Sequence, residues 1–195
     1  MKTSEIYEYL ERISNLLRTD IRKGGISLGL QPVQLEALNY LFRCNRYSNS
    51  PVAVAEFLGL TKGTVSQTLA VLENSGLIEK HPDQKDRRVV HLELTDAGRR
   101  IVAECIPPKV LKQAAGEVDP AAQEVLLESL RSMLSALQHA NRLRSFGVCK
   151  NCRHHALRPD GSRHCRLTGE DLSDSDSDKI CREHETPPAL PLAGG

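Results

Sequence analysis

The sequence predicts a mainly α-helical chain with one small β-hairpin. Apolar residues recur at helical steps along most of residues 3–145, and only the run from Leu77 to Leu94 breaks into two extended pieces around a charged turn. Four of the six cysteines fall after residue 146, where apolar residues become sparse. That contrast predicts a helical body followed by a small appendage of different chemistry.

Residues 3–23 place Ile6, Leu10, Ile13, Leu17 and Ile21 at steps of three and four, with Glu5, Glu8, Glu11, Arg12 and Arg18 between them. This is an amphipathic helix, and Gly24-Gly25 is expected to end it. A second helix opens at Gln31-Pro32, where proline suits the first turn, and Val33, Leu35, Leu38, Leu41 and Phe42 supply its buried side. Cys44 near its end, like Cys105 further on, reads as a small core residue.

A polar loop leads to a short helix from Pro51 that is stopped by Gly59. Thr61 then caps a helix whose apolar residues are Val65, Leu69 and Leu72. Its opposite face carries Gly63, Thr64, Ser66, Gln67 and Ala70, all small or polar, so nothing holds the backbone away from a partner. Together these two helices form a helix-turn-helix. After Asn74-Ser75-Gly76 come the extended Leu77–Lys80, a charged turn through Arg88, and Val89–Leu94 with Val90, Leu92 and Leu94 on one face. The result is a hairpin with a basic tip.

Thr95-Asp96 caps the next helix, which carries Ile101, Val102, Cys105 and Ile106 up to a break at Pro107-Pro108 and resumes through Val110-Leu111. Asp119-Pro120 opens the last long helix, striped by Leu126, Leu127, Leu130, Met133, Leu134 and Leu137, which runs out near Arg144.

The order Leu72-Glu73-Asn74-Ser75-Gly76-Leu77-Ile78, then Asp86-Arg87-Arg88, then Leu94-Thr95-Asp96-Ala97-Gly98 resembles the signature of the multiple-antibiotic-resistance regulator (MarR) family of winged helix-turn-helix proteins. The resemblance covers residues 1–145 apart from the first few. It implies a winged helix-turn-helix flanked by dimerisation helices, with the first and last helices of two chains interlocking in a homodimer. It also implies binding to double-stranded DNA and a small aromatic or phenolic effector held between the dimer helices and the winged domain. Two such copies would set their Thr61–Asn74 helices in successive major grooves about 34 Å apart, on a pseudo-palindromic operator.

Within that frame Thr64, Ser66 and Gln67 can each donate and accept hydrogen bonds, and Gln67 is the first candidate for base readout because its amide can pair bidentately with adenine. Lys62 suits a phosphate at the helix start. Lys85, Arg87 and Arg88 put positive charge on the wing, where arginine can enter a narrow minor groove or grip the backbone. Asp86, an acid beside two guanidiniums, is expected to structure the wing.

Residues 146–185 form a cysteine-rich segment with Cys149-x-x-Cys152, Cys165 twelve intervening residues later, and Cys181-x-x-His184 after fifteen more. Thiolates two residues apart can chelate one ion in a tight turn, and a metal can order a loop too poor in apolar residues to fold alone. Zinc on Cys149, Cys152, Cys165 and Cys181 is favoured, with His184 as alternative ligand, and an iron-sulfur cluster on the four cysteines is the alternative. The cysteine spacing is loosely similar to that of high-potential iron-sulfur proteins. His154, His155 and His164 rank below His184. The acidic run Glu170–Asp178 reads as a solvated disordered insertion, and residues 186–195 as a disordered tail.

The formal net charge of +1 would not by itself suggest nucleic acid; the local cluster of Lys80, Lys85, Arg87, Arg88, Arg99 and Arg100 does. No apolar run approaches the roughly 18 residues of a membrane span, so a cytoplasmic protein is expected. No nucleophile motif, phosphate loop or catalytic carboxylate pair argues for an enzyme. The expected function is a sequence-specific DNA-binding transcriptional regulator responding to redox or metal status. The alternative is a metal or redox protein whose winged helix contacts other proteins.

Overall fold

A computed structural model describes residues 2–84, 86–140 and 144–187, so that Lys85 and most of the expected disordered tail lie outside the described residues. Helix α1 (Thr3–Ser27) does not stop at Gly24-Gly25. It runs on to Ser27 and turns at Gly29, whose φ of 74° suits glycine. The two glycines serve close packing instead. A side chain at Gly25 would press on the Leu30 carbonyl at 3.4 Å, and one at Gly24 would reach Cys105 Sγ at 3.6 Å.

In α2 (Pro32–Arg43) the Gln31 and Gln34 side chains cap each other's backbone, and Leu35, Leu38, Tyr40 and Leu41 are buried. Phe42, expected inside, is 43% exposed. Tyr40 takes the interior place, and its hydroxyl donates to the Ser48 carbonyl at 2.7 Å. Ser50 caps α3 (Pro51–Leu58), Gly59 ends it in the left-handed region, and Thr61 caps α4 (Lys62–Asn74).

Strands β1 (Ile78–Pro82) and β2 (Val90–Leu94) pair antiparallel, Ile78 opposite Leu94 and Pro82 opposite Val90. Thr95 then caps α5 (Asp96–Cys105), which ends before the proline pair, and the chain continues in α6 (Lys109–Glu117) and α7 (Pro120–Ala140). Val65, Leu69, Leu72, Ile78, Leu92 and Val102 pack around α2 in one core. Each such side chain contributes about 1.5–3 kcal/mol of burial. By contrast Ile6, Ile13, Leu126, Leu130, Leu134 and Leu137 on α1 and α7 are exposed in the single chain.

The cysteine-rich segment is seated on this body. It contains a 3-10 turn (Cys149–Asn151), a three-stranded antiparallel sheet of β3 (His155–Leu157), β4 (Arg163–Cys165) and β5 (Asp171–Leu172), and α8 (Asp174–Asp178). Phe146 joins the main core with its ring edge-on to Phe57 at 5.2 Å and to Tyr40 at 6.0 Å. Ile180 joins it too: its N–H donates to the Arg43 carbonyl and its carbonyl accepts from Asn45 N–H. The acidic run is ordered rather than a loose insertion, because Ser173 and Asp176 form a capping box that starts α8 and Asp176 is buried facing Arg46 at 3.6 Å.

Candidate nucleic-acid interface and cysteine cavity

The face of α4 opposite the core is open. Lys62, Thr64, Ser66 and Gln67 are all exposed on it, while Val65, Thr68, Leu69 and Leu72 are buried beneath. The Thr61 hydroxyl accepts from Thr64 N–H at 3.2 Å and lies 2.9 Å from the Thr64 hydroxyl, and Thr68 donates back to the Thr64 carbonyl. The polar groups left facing outward are those of Lys62, Ser66 and Gln67, with Thr64 shared between cap and surface.

At the wing tip Asp86 binds Arg88 through Nε at 3.0 Å and Nη2 at 2.9 Å, and also accepts the Arg88 N–H at 3.0 Å. The guanidinium, and after it that backbone donor, hold the Asp86 carboxyl below the usual carboxylate range. Asp83 accepts the Asp86 N–H at 2.7 Å, so two acids brace one turn. Arg87 is exposed beside it. At the wing's base Lys80 reaches Glu73 of α4 at 2.6 Å.

His91, which sequence reasoning missed, joins the wing to the α2–α3 loop. One ring nitrogen lies 2.7 Å from Asn49 Oδ1 and the other 2.9 Å from Asp83 Oδ2, while Leu92 N–H donates to the Asn49 carbonyl at 2.7 Å. Nothing local signals this, since Asn49 is 42 residues away.

The four C-terminal cysteines come together. Cys149, Cys152, Cys165 and Cys181 line one cavity with His154, His155, Tyr47, Leu167, Leu172 and Asn45, and all are free thiols. Cys152 Sγ accepts from the N–H of His154 at 3.5 Å and of Glu185 at 3.4 Å. Burial pushes the Cys149 thiol up to about 12, with Cys181, Cys165 and Cys152 adding to the rise. Burial likewise raises Cys181, opposed by Asn45, the Glu183 backbone and Ser48 at its sulfur. Asn45 is 1% exposed, and its Nδ2 lacks a well-formed hydrogen bond.

His184 lies elsewhere. Its Nδ1 meets the Ser145 hydroxyl at 2.6 Å and its ring packs under Gly147, where a side chain would collide with it. It lines the cleft between α7 and the C-terminal segment, so His154 and His155, ranked lower from sequence, are the histidines at the cysteines. Among the described residues no three of His, Cys, Asp and Glu stand as a group able to hold one metal ion.

A helix pair with an open polar face, a basic hairpin beside it and flanking helices define a winged helix-turn-helix protein. Residues 28–89 match the model of the MarR family. The transcriptional regulator HosA of Escherichia coli O111:H- is 33% identical over 87 residues, covering 44% of this chain and 64% of HosA. The transcriptional repressor MprA of E. coli K12 is 28% identical over 111 residues, 56% of this chain and 63% of MprA. The chain therefore spans less than two thirds of the length of these curated relatives.

Among solved structures, the DNA complex of Staphylococcus aureus MepR aligns with a TM-score of 0.54 at 26% identity, covering 67% of this chain and 97% of that one. The regulator BldR of Sulfolobus solfataricus aligns at 0.52 and 26%, covering 70% and 99%. By family match, relatives and solved structures this chain is similar to MarR-family winged-helix transcriptional regulators. No helix among the described residues is long and apolar enough to cross a membrane.

Proposed function

We propose that this protein binds operator DNA as a homodimer and regulates transcription, with α4 in the major groove and the β1–β2 wing on the flanking backbone. The observation that carries this reading is the exposed Lys62, Thr64, Ser66 and Gln67 face beside the exposed Arg87 and Arg88. A protein of similar fold, MepR, is known in complex with DNA, which supports the reading. The exposed apolar stripes of α1 and α7 support the homodimer, because a monomer would leave Ile6, Ile13, Leu126 and Leu134 in water. A small-molecule effector between those helices and the winged domain belongs to the same reading.

The C-terminal cysteines make the binding conditional on a bound metal centre. Support comes from the α2–α3 loop, which touches the cavity through Asn45 and the wing through Asn49. Fluorescence anisotropy with the DNA upstream of the protein's own reading frame tests the proposal at two salt concentrations, before and after metal removal. Salt-sensitive binding that competitor DNA does not abolish, and that changes on metal removal, is expected. Absence of salt-sensitive binding would favour a role in protein contacts.

A further inference from the structure

We propose that Cys149, Cys152, Cys165 and Cys181 ligate one iron-sulfur cluster rather than a single zinc ion. The proposal deepens the reading that these cysteines hold a metal centre and does not depend on DNA binding.

A single zinc with bonds of about 2.3 Å pulls its four sulfurs to within about 4 Å of one another. All six cysteines and all seven histidines of the chain lie among the described residues, yet no three His, Cys, Asp or Glu side chains there stand as a group that could hold one ion. The four thiols nevertheless ring one cavity. Donors set around a space, rather than around a point, suit a centre that brings its own bridging sulfide and presents four separate iron corners or edges to the protein.

The walls agree with that chemistry. Leu167 and Leu172 of the segment line the cavity, and the winged-helix body adds Tyr47 and Asn45. A cluster needs such cover against solvent. Backbone N–H groups of His154 and Glu185 point at Cys152 Sγ, the kind of N–H to sulfur contact that sets a cluster's potential. Asn45, 99% buried, faces Cys181 while its Nδ2 lacks a well-formed hydrogen bond. A buried amide donor in that state is costly, and a cluster-bearing thiolate at Cys181 would relieve the cost by accepting from it.

Ligation is balanced without electron transfer. Four cysteine thiols give up four protons and form four iron–thiolate bonds, the four external thiolates that held the assembled cluster of iron and sulfide leave and take up those protons, and the iron oxidation states are unchanged.

The test is elemental and spectroscopic analysis of the full chain purified without oxygen and without a metal-binding tag. Equal iron and sulfide, at two or four of each per chain, with broad visible absorption that fades in air, is the expected result. Cys165→Ala should lose that absorption while keeping its helical circular dichroism, since β4 lies outside the winged-helix core. If that variant fails to fold, the iron-to-sulfide ratio of the unaltered protein still decides. One zinc per chain without sulfide overturns the cluster and keeps a metal centre. No metal, even after anaerobic incubation with iron and sulfide, overturns both.

Discussion

The guanidinium of Arg182 clasps the carboxylate of Glu56 at two points, Nε to Oε2 and Nη2 to Oε1, each at 2.7 Å. This grip fastens the residue after Cys181 to the middle of α3, and it holds the Glu56 carboxyl below its ordinary range. A carboxylate whose folded pKa is depressed adds stability that is present above its unfolded pKa and is lost as pH falls through the folded one. Glu56→Gln is therefore expected to cost about 0.5–1 kcal/mol at neutral pH and to flatten the acid limb of stability. Urea melts between neutral and acid pH measure both, and an unaltered acid limb would remove the grip from the account.

Arg88 is held by Asp86 at the wing tip yet its side chain remains 90% exposed. Arg88→Ala should weaken binding across many DNA sequences and lower the slope of log affinity against log salt by about one. Asp86→Asn keeps the guanidinium but loosens it, so affinity should fall with less change of slope. Titrations at several salt concentrations separate the two variants.

Gln67 stands on the open face of α4 with its amide free to read a base. Gln67→Ala should reduce discrimination at one position in each half-site by about 1–3 kcal/mol while leaving the salt slope nearly unchanged. Binding to a set of single-base operator variants checks this; uniform weakening instead would place Gln67 on phosphate.

Tyr40 is fully buried and its hydroxyl is the donor to the Ser48 carbonyl. Tyr40→Phe leaves that carbonyl short of its partner and is expected to destabilise the chain by about 1–3 kcal/mol, read from the urea midpoint.

Gly98 sits under the Leu77 carbonyl, and a methyl group there would collide with that oxygen and crowd Leu94. Gly98→Ala should cost about 1–3 kcal/mol. Gly116 in α6 has open space around it, so Gly116→Ala should instead add about 0.5–1 kcal/mol. The opposite signs, measured by thermal melting, separate close packing from helix propensity.

The helix-turn-helix and wing were legible because their signals are local. Thr61 and Thr95 cap where the sequence places caps, and Val90, Leu92 and Leu94 alternate as a half-buried strand should. Gly24-Gly25 misled because glycine marks either a turn or a close approach, and only the neighbours Leu30, Leu35 and Cys105 decide which. Phe42 lies outside its expected place because α2 is buried on more than one face, so periodicity alone does not rank its aromatic residues. The cysteine quartet could be listed from its spacing, but its enclosure could not. Asn45 and Tyr47 close the cavity from more than one hundred residues upstream, as the 123-residue bond from Tyr47 to Glu170 illustrates. The place of His184 was hidden for the same reason: Ser145 and Gly147 claim its ring.

Ile180 forms a parallel bridge with Cys44 and an antiparallel bridge with Val148. Along the chain the cysteine segment looks like an accessory that could be cut away or transplanted. Energetically it is not separable: cutting before Phe146 would strip an aromatic ring from Tyr40 and Phe57 and leave the end of α2 without its backbone partner. Body and tail thus share one cooperative unit, and whatever loosens the cysteines is felt first as a loss of order in the loop that leads into α3 and α4.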